Sequence, residues 1–274
     1  MILRLCVYRT TMMRRTDRSE SRALRYAEVD LLRGIAVLMM IAFHALRDLD
    51  FFSGPVPVDV HSGAMPKFAE ATASIFLLLV GVSLAISSGR ARVRGEDSSR
   101  RYLRRGVKIF SWGMAITLST ILLLGEGFVV FGILHLIGLS IMMAPPLLKR
   151  PRWALPLGSM AIAAGLMLRT FTIDSFLLLW LGLVPRHFQS VDYFPLLPWF
   201  GVVAVGIFLG DLIYPKGGRR FYLPDISKMT PARQILFLGR NSLPIYLLHQ
   251  PVLIISMELL GVIDIGSRLA LQIS

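Results

Sequence analysis

The chain has 274 residues, 54% of them hydrophobic, and 30 Lys and Arg against 17 Asp and Glu. Mean hydropathy is +0.63. That is more apolar surface than a soluble core of this size can hide, so a polytopic membrane protein is expected. The net charge of +13 is then read as cytoplasmic-loop basicity rather than nucleic-acid binding. A single cysteine, Cys6, excludes an intramolecular disulfide and a cysteine-based metal cluster.

Residues 1–27 are rich in Arg and broken by charges, and are expected to be a disordered basic cytoplasmic tail near headgroups. They hold no apolar run ending in a small-residue cleavage site, so no cleaved signal is expected. Residues 28–274 are expected to form one domain, an all-α bundle. Its seven spans are placed at Leu31–Leu49, Phe68–Ser88, Val107–Leu124, Phe128–Leu148, Trp153–Leu168, Phe194–Tyr214 and Ser242–Val262. The run Ser175–Val184 is too short to cross and reads as re-entrant or interfacial.

Basic residues orient this bundle. The tail through Arg33 holds 8, Gly89–Lys108 holds 8, Lys149–Arg152 holds 3 and Pro215–Arg240 holds 6. These put 25 of 30 on one side, against 5 on the other (Arg47, Lys67, Arg169, Arg186 and Arg268). The positive-inside rule places the N-terminus in the cytoplasm and the C-terminus outside.

The first span carries Asp30, Arg33 and His44, and ionisable groups at membrane depth are costly enough to mark a functional interior by default. Arg33 and His44 are three helical turns apart on one face, separated by about 16 Å. The stripe Asp30, Arg33, Val37, Met40, His44, Asp48 is expected to line a polar wall, while Ile35, Leu38 and Ala42 meet lipid or another helix. An interfacial Asp30–Arg33 pair and a structural His44 suit the spacing equally.

The outward loop after this span bears Asp48, Asp50, Asp59 and His61 among turn-forming Pro and Gly. His135 lies on the fourth span between Gly132 and Gly138; a lone histidine there is more often a hydrogen-bonded structural group than a reactive one. Asn241, the only asparagine in the chain, opens the last span, followed at helical spacing by Ser242, Tyr246 and His249, with Gln250 adjacent. A plain helix N-cap at Asn241 and packing of His249 on Gln250 is the competing account.

The stretch Val29-Asp-Leu-Leu-Arg-Gly-Ile-Ala-Val-Leu-Met-Met-Ile-Ala-Phe-His-Ala-Leu-Arg-Asp48 resembles the first-helix signature of membrane acyltransferases. Within them it is most similar to prokaryotic relatives of the heparan-α-glucosaminide N-acetyltransferase catalytic domain. Three later stretches fit the same family in order: Phe131-Gly-Ile-Leu-His-Leu-Ile-Gly138, Tyr193-Phe-Pro-Leu-Leu-Pro-Trp-Phe200 and Gly239-Arg-Asn-Ser-Leu-Pro-Ile-Tyr-Leu-Leu-His-Gln-Pro251. The resemblance implies a multi-pass enzyme of a prokaryotic plasma membrane. Such an enzyme takes an acyl group, acetyl above all, from cytoplasmic acetyl-CoA to an amino or hydroxyl group of an extracytoplasmic sugar or glycan.

Acyl transfer needs a base for the acceptor's proton or a nucleophile to hold the acyl group, and histidine serves either. His44 and His61 are the expected catalytic residues. Asp30, Arg33, Asn241, Ser242, Tyr246 and His249 are expected to bind substrate or CoA. The arginines of Gly89–Lys108 read as topology signal and anionic-lipid contact, or as a basic mouth for CoA phosphates. Membrane lipids are the other expected partner, and no metal is expected. A proton-coupled permease suits the same ionisable residues, though no repeated half supports it. A non-catalytic protein on the same fold also stays open, as does the oligomeric state.

Overall fold

The structure is a computed structural model that describes residues 26–52, 59–60, 62–125, 127–173, 175–223 and 230–264. His61 and most of the N-terminal tail lie outside the described residues. Among those described the fold is all helical: α1 (Ala27–Phe51), α2 (Met65–Val93), α3 (Ser99–Leu124), α4 (Ile133–Met143), α5 (Pro145–Lys149), α6 (Ala154–Leu168), α7 (Leu196–Ile213), α8 (Thr230–Arg240) and α9 (Ser242–Leu259). Five of them, α1, α2, α3, α7 and α9, are long and apolar enough to cross a membrane.

The other two expected spans are shorter. The apolar run Phe128–Leu148 holds only the 11-residue α4 and the 5-residue α5. Pro145 and Pro146 have no amide hydrogen to extend α4, and they start a new helix instead. The 15 residues of α6 rise about 22 Å, short of the roughly 30 Å of a hydrocarbon core. The basic stretch also differs from expectation. Only residues 94–98 break the helix between α2 and α3. Arg90 and Arg92 extend the end of α2, and Arg100, Arg101, Arg104 and Arg105 form the first turns of α3. Arginine is a strong helix former, so both helices continue past their apolar parts.

The chain divides into two compact units, Met1–Pro57 with Pro224–Ser274, and Val58–Leu223. In the second, α2 lies against α7, α7 against α6, and α3 against α4. The α2–α7 seam is close because glycine forms it: a Cβ on Gly81 would strike the Val203 carbonyl, and one on Gly206 the Leu78 carbonyl. Small residues at crossings are how membrane helices gain packing when lipid supplies no hydrophobic drive. Leu77, Leu84, Val203 and Ile207 are fully buried in this unit. Val107, Met114, Leu118 and Leu122 on α3 are exposed, an apolar surface suited to hydrocarbon.

His135 belongs to this second unit and is 1% exposed. Its Nδ1 accepts the Gly132 N–H at 3.2 Å, and its Nε2 lies 3.5 Å from Thr117 Oγ1. The Thr117 hydroxyl donates to the Val129 carbonyl at 2.7 Å. Phe131 stacks on the ring and Phe110 meets it edge-on. With each nitrogen engaged, His135 closes the N-terminus of α4.

In the first unit α1 packs on α8 and touches α9. Gly34 lets the Ile235 backbone in, and Gly239 lets in the Asp30 carbonyl. The stripe expected on α1 is largely internal: Asp30, Val37, Met40 and Asp48 are buried. Ile35, Leu38 and Ala42 on the opposite face are exposed.

Candidate functional site

Two clusters sit on α1, one toward each end. The first gathers on Asp30, which is 4% exposed. Arg33 donates from Nη1 to Asp30 Oδ1 at 3.0 Å, one helical turn away. Arg240, at the end of α8, donates from Nε to Oδ2 at 3.4 Å. Two guanidiniums, both protonated, converge on this one carboxylate. Asn241 follows directly, and its amide donates to the Phe237 carbonyl at 2.8 Å. It therefore covers the C-terminus of α8 and makes no side-chain cap to α9. This differs from the N-cap account, and the reason is local: α8 ends one residue before α9 begins, so the amide reaches a last-turn carbonyl behind it, the same one that accepts the Asn241 backbone N–H.

The second cluster joins α1 to α9. The rings of His44 and His249 meet edge-on with centroids 4.7 Å apart. One turn further along α1, Asp48 Oδ1 accepts the Gln250 amide at 2.6 Å. His249 Nδ1 lies 2.6 Å from the Tyr246 carbonyl oxygen, and the Tyr246 ring is tilted beside it, 5.5 Å between centroids. Pro251 lies within α9 and has no amide hydrogen, so the helix ladder is interrupted at this turn. The structure thus splits the expected binding residues. Asp30 and Arg33 are at one end of α1, with Asn241 and Ser242 next to Arg240, while Tyr246 and His249 stand with His44 at the other.

Arg240 and the Asp48–Gln250 pair are the members that pattern reading did not assign to the site. Arg240 carried a weak signal, as a charge directly before the lone asparagine. Asp59 on the loop before α2 accepts hydrogen bonds from the Ser62 amide and hydroxyl. Among the described residues no three His, Cys, Asp or Glu side chains are grouped to hold a metal ion.

In the second unit, the basic turn between α2 and α3 is partly neutralised from within. Arg94 donates to Glu96 at 2.7 Å, Arg101 lies 3.7 Å from the same carboxylate, and Arg92 pairs with Asp211 at 3.2 Å. The hydrogen bond from Arg94 holds the Glu96 carboxyl below the usual range, helped by the charges of Arg94 and Arg101. Arg100, Arg104, Arg105 and Lys108 on α3 are exposed.

A family model described as heparan-α-glucosaminide N-acetyltransferase, catalytic, matches residues 25–251. No curated protein and no solved structure matches the chain.

Proposed function

Because the chain belongs to the heparan-α-glucosaminide N-acetyltransferase catalytic-domain family, we propose that it is an integral-membrane acetyltransferase of a prokaryotic plasma membrane. Acetyl-CoA approaches from the cytoplasm, and an amino or hydroxyl group on an extracytoplasmic sugar or glycan receives the acetyl group. The domain covers 28–274 with its N-terminus inside, in line with the 25-to-5 basic bias.

The observation that carries this reading is the spacing of the two clusters on α1. An arginine end built on Asp30, Arg33 and Arg240 offers guanidinium donors suited to the phosphates of CoA. A histidine end built on His44 and His249 suits the thioester. About 16 Å separates Arg33 from His44, a span that a thin pantetheine arm can bridge. His44 acts at the thioester, with His61 on the outward loop as the other candidate; Asp30, Arg33, Asn241, Ser242, Tyr246 and His249 line the path. Exposed Arg104 and Arg105 draw the phosphates toward the membrane surface.

Purified protein tests this directly. Acetyl-CoA should raise the unfolding temperature through binding linkage, and Arg104→Glu with Arg105→Glu should shrink that rise. Acetyl-CoA plus glucosamine should release free thiol. The absence of both effects at millimolar acetyl-CoA would overturn the enzyme reading in favour of a permease or a non-catalytic protein.

A further inference from the structure

We propose that His249 takes the acceptor's proton during transfer, a role that rests on the acetyltransferase reading above. A carbonyl oxygen only accepts, so the 2.6 Å contact between His249 Nδ1 and the Tyr246 carbonyl puts the hydrogen on Nδ1. A neutral imidazole carries one N–H, so Nε2 keeps its lone pair. That Nε2 is buried and has no hydrogen-bond partner among the described residues, in a residue only 9% exposed. His135 is the contrast: the Gly132 N–H occupies its Nδ1, and its Nε2 faces Thr117.

Two more buried acceptors in the same α1–α9 cluster, Asp48 Oδ2 and Gln250 Oε1, have no partner among the described residues. Asp48 is 5% exposed, and the Gln250 amide fixes its other oxygen. Buried polar atoms are nearly always satisfied in native proteins. Three that all lack a donor fit a ligand that brings hydrogens, such as an amine or a sugar hydroxyl, better than another acceptor. His44, 4.7 Å from His249 between ring centroids, borders the same place.

The step balances as follows. The acceptor's nitrogen or oxygen attacks the thioester carbonyl carbon while its proton moves to His249 Nε2. The new carbon–nitrogen or carbon–oxygen bond forms and the carbon–sulfur bond breaks, with the electron pair leaving on sulfur. The proton on Nε2 then passes to that sulfur. Free CoA thiol and acetylated acceptor result, and His249 returns to its starting state with Nδ1 still on the Tyr246 carbonyl.

The test uses full-length protein in detergent, with acetyl-CoA and glucosamine as the probes. His249→Ala should lower thiol release by about 100-fold or more, the range for losing an acid–base group, while keeping the thermal rise with CoA. Added imidazole should restore part of that rate. His249→Gln, which keeps an N–H for the Tyr246 carbonyl but accepts no proton, should fold and stay slow. Nitrogen-15 histidine spectra of the wild type, assigned by loss of the signal in His249→Gln, should show a neutral ring protonated on Nδ1.

A ring protonated on Nε2, or His249→Gln at wild-type rate, would overturn the role of His249 and leave the enzyme reading standing. A wild type that shows the expected tautomer but transfers nothing, and does not respond to CoA, would overturn both.

Discussion

Arg240 and Asp30 lie 210 residues apart in the chain and meet at 3.4 Å, Nε to Oδ2. Asp30 is the shared anion of this corner, because Arg33 holds its other oxygen. Removing the carboxylate's charge leaves two guanidiniums facing an amide. A fully buried pair would cost several kcal/mol to break, but the Arg33 and Arg240 side chains are 22% and 45% exposed, which lets water screen them. Asp30→Asn should therefore destabilise the protein by about 1–3 kcal/mol, lying between those limits. Arg240→Ala should cost less. Thermal unfolding in detergent of the two variants side by side checks the order.

The same corner depends on a missing side chain. A methyl group on Gly239 would strike the carbonyl of Asp30, which is backbone and cannot swing away. Gly239→Ala should force α8 off α1 and cost about 1–3 kcal/mol, the range for overpacking. At Gly218 the nearest atom to a new Cβ is 3.6 Å away, an ordinary contact, so Gly218→Ala should leave the unfolding temperature near wild type. Equal stability of the two variants would show that the α1–α8 approach is looser than described.

His135 should behave as structure, not chemistry. His135→Ala removes a buried ring from between Phe110 and Phe131 and strips the Gly132 N–H of its acceptor. A loss of about 2–4 kcal/mol is expected from the cavity and the unpaired donor together. Thiol release per folded molecule should stay at the wild-type level. Stability and rate measured on the same preparation separate the two effects, and a lost rate at intact stability would return His135 to the list of reactive groups.

How much of this was legible beforehand follows from range. The internal face of α1 was readable, because Asp30, Val37, Met40 and Asp48 repeat at helical spacing within one element. The partners of that face were not. Arg240 and Gln250 are about 200 residues downstream, and nothing local in either marks which carboxylate it will meet. Apolarity misled in the middle of the chain, since Phe128–Leu148 is as hydrophobic as a crossing helix yet breaks at Pro145 and Pro146. At the start of α3 charge acts the other way: its arginines lie outside the apolar run Val107–Leu124 that marks the span, yet their intrinsic preference is helical and the helix begins at Ser99.

Orientation is tested by chemistry at the surface. With Cys6→Ser as background, single cysteines at Ser53, Ser98, Ser190 and Lys228 sample four connections. The basic bias puts Ser98 and Lys228 inside. An impermeant thiol reagent on intact cells should label Ser53→Cys and Ser190→Cys only. Labelling of Ser98→Cys from outside would invert the topology, and with it the side from which CoA must come.

The sharpest question concerns which histidine handles the acyl group. His44 shares α1 with Arg33, one at the histidine end and one at the arginine end, so the two should fail differently. Arg33→Lys keeps the charge but loses the planar fork that grips Asp30. It should mainly weaken the thermal rise with CoA. His44 makes no ion pair among the described residues, so in His44→Ala the fold and the CoA response should hold while thiol release falls by about 100-fold or more. His61→Ala under the same assay is the necessary comparison, because the outward loop carries the rival histidine. Full activity in His44→Ala with loss in His61→Ala would move the chemistry to the loop and leave His44 as the packing partner of His249. Full activity in both would exclude either histidine from the transfer step, whatever the acceptor.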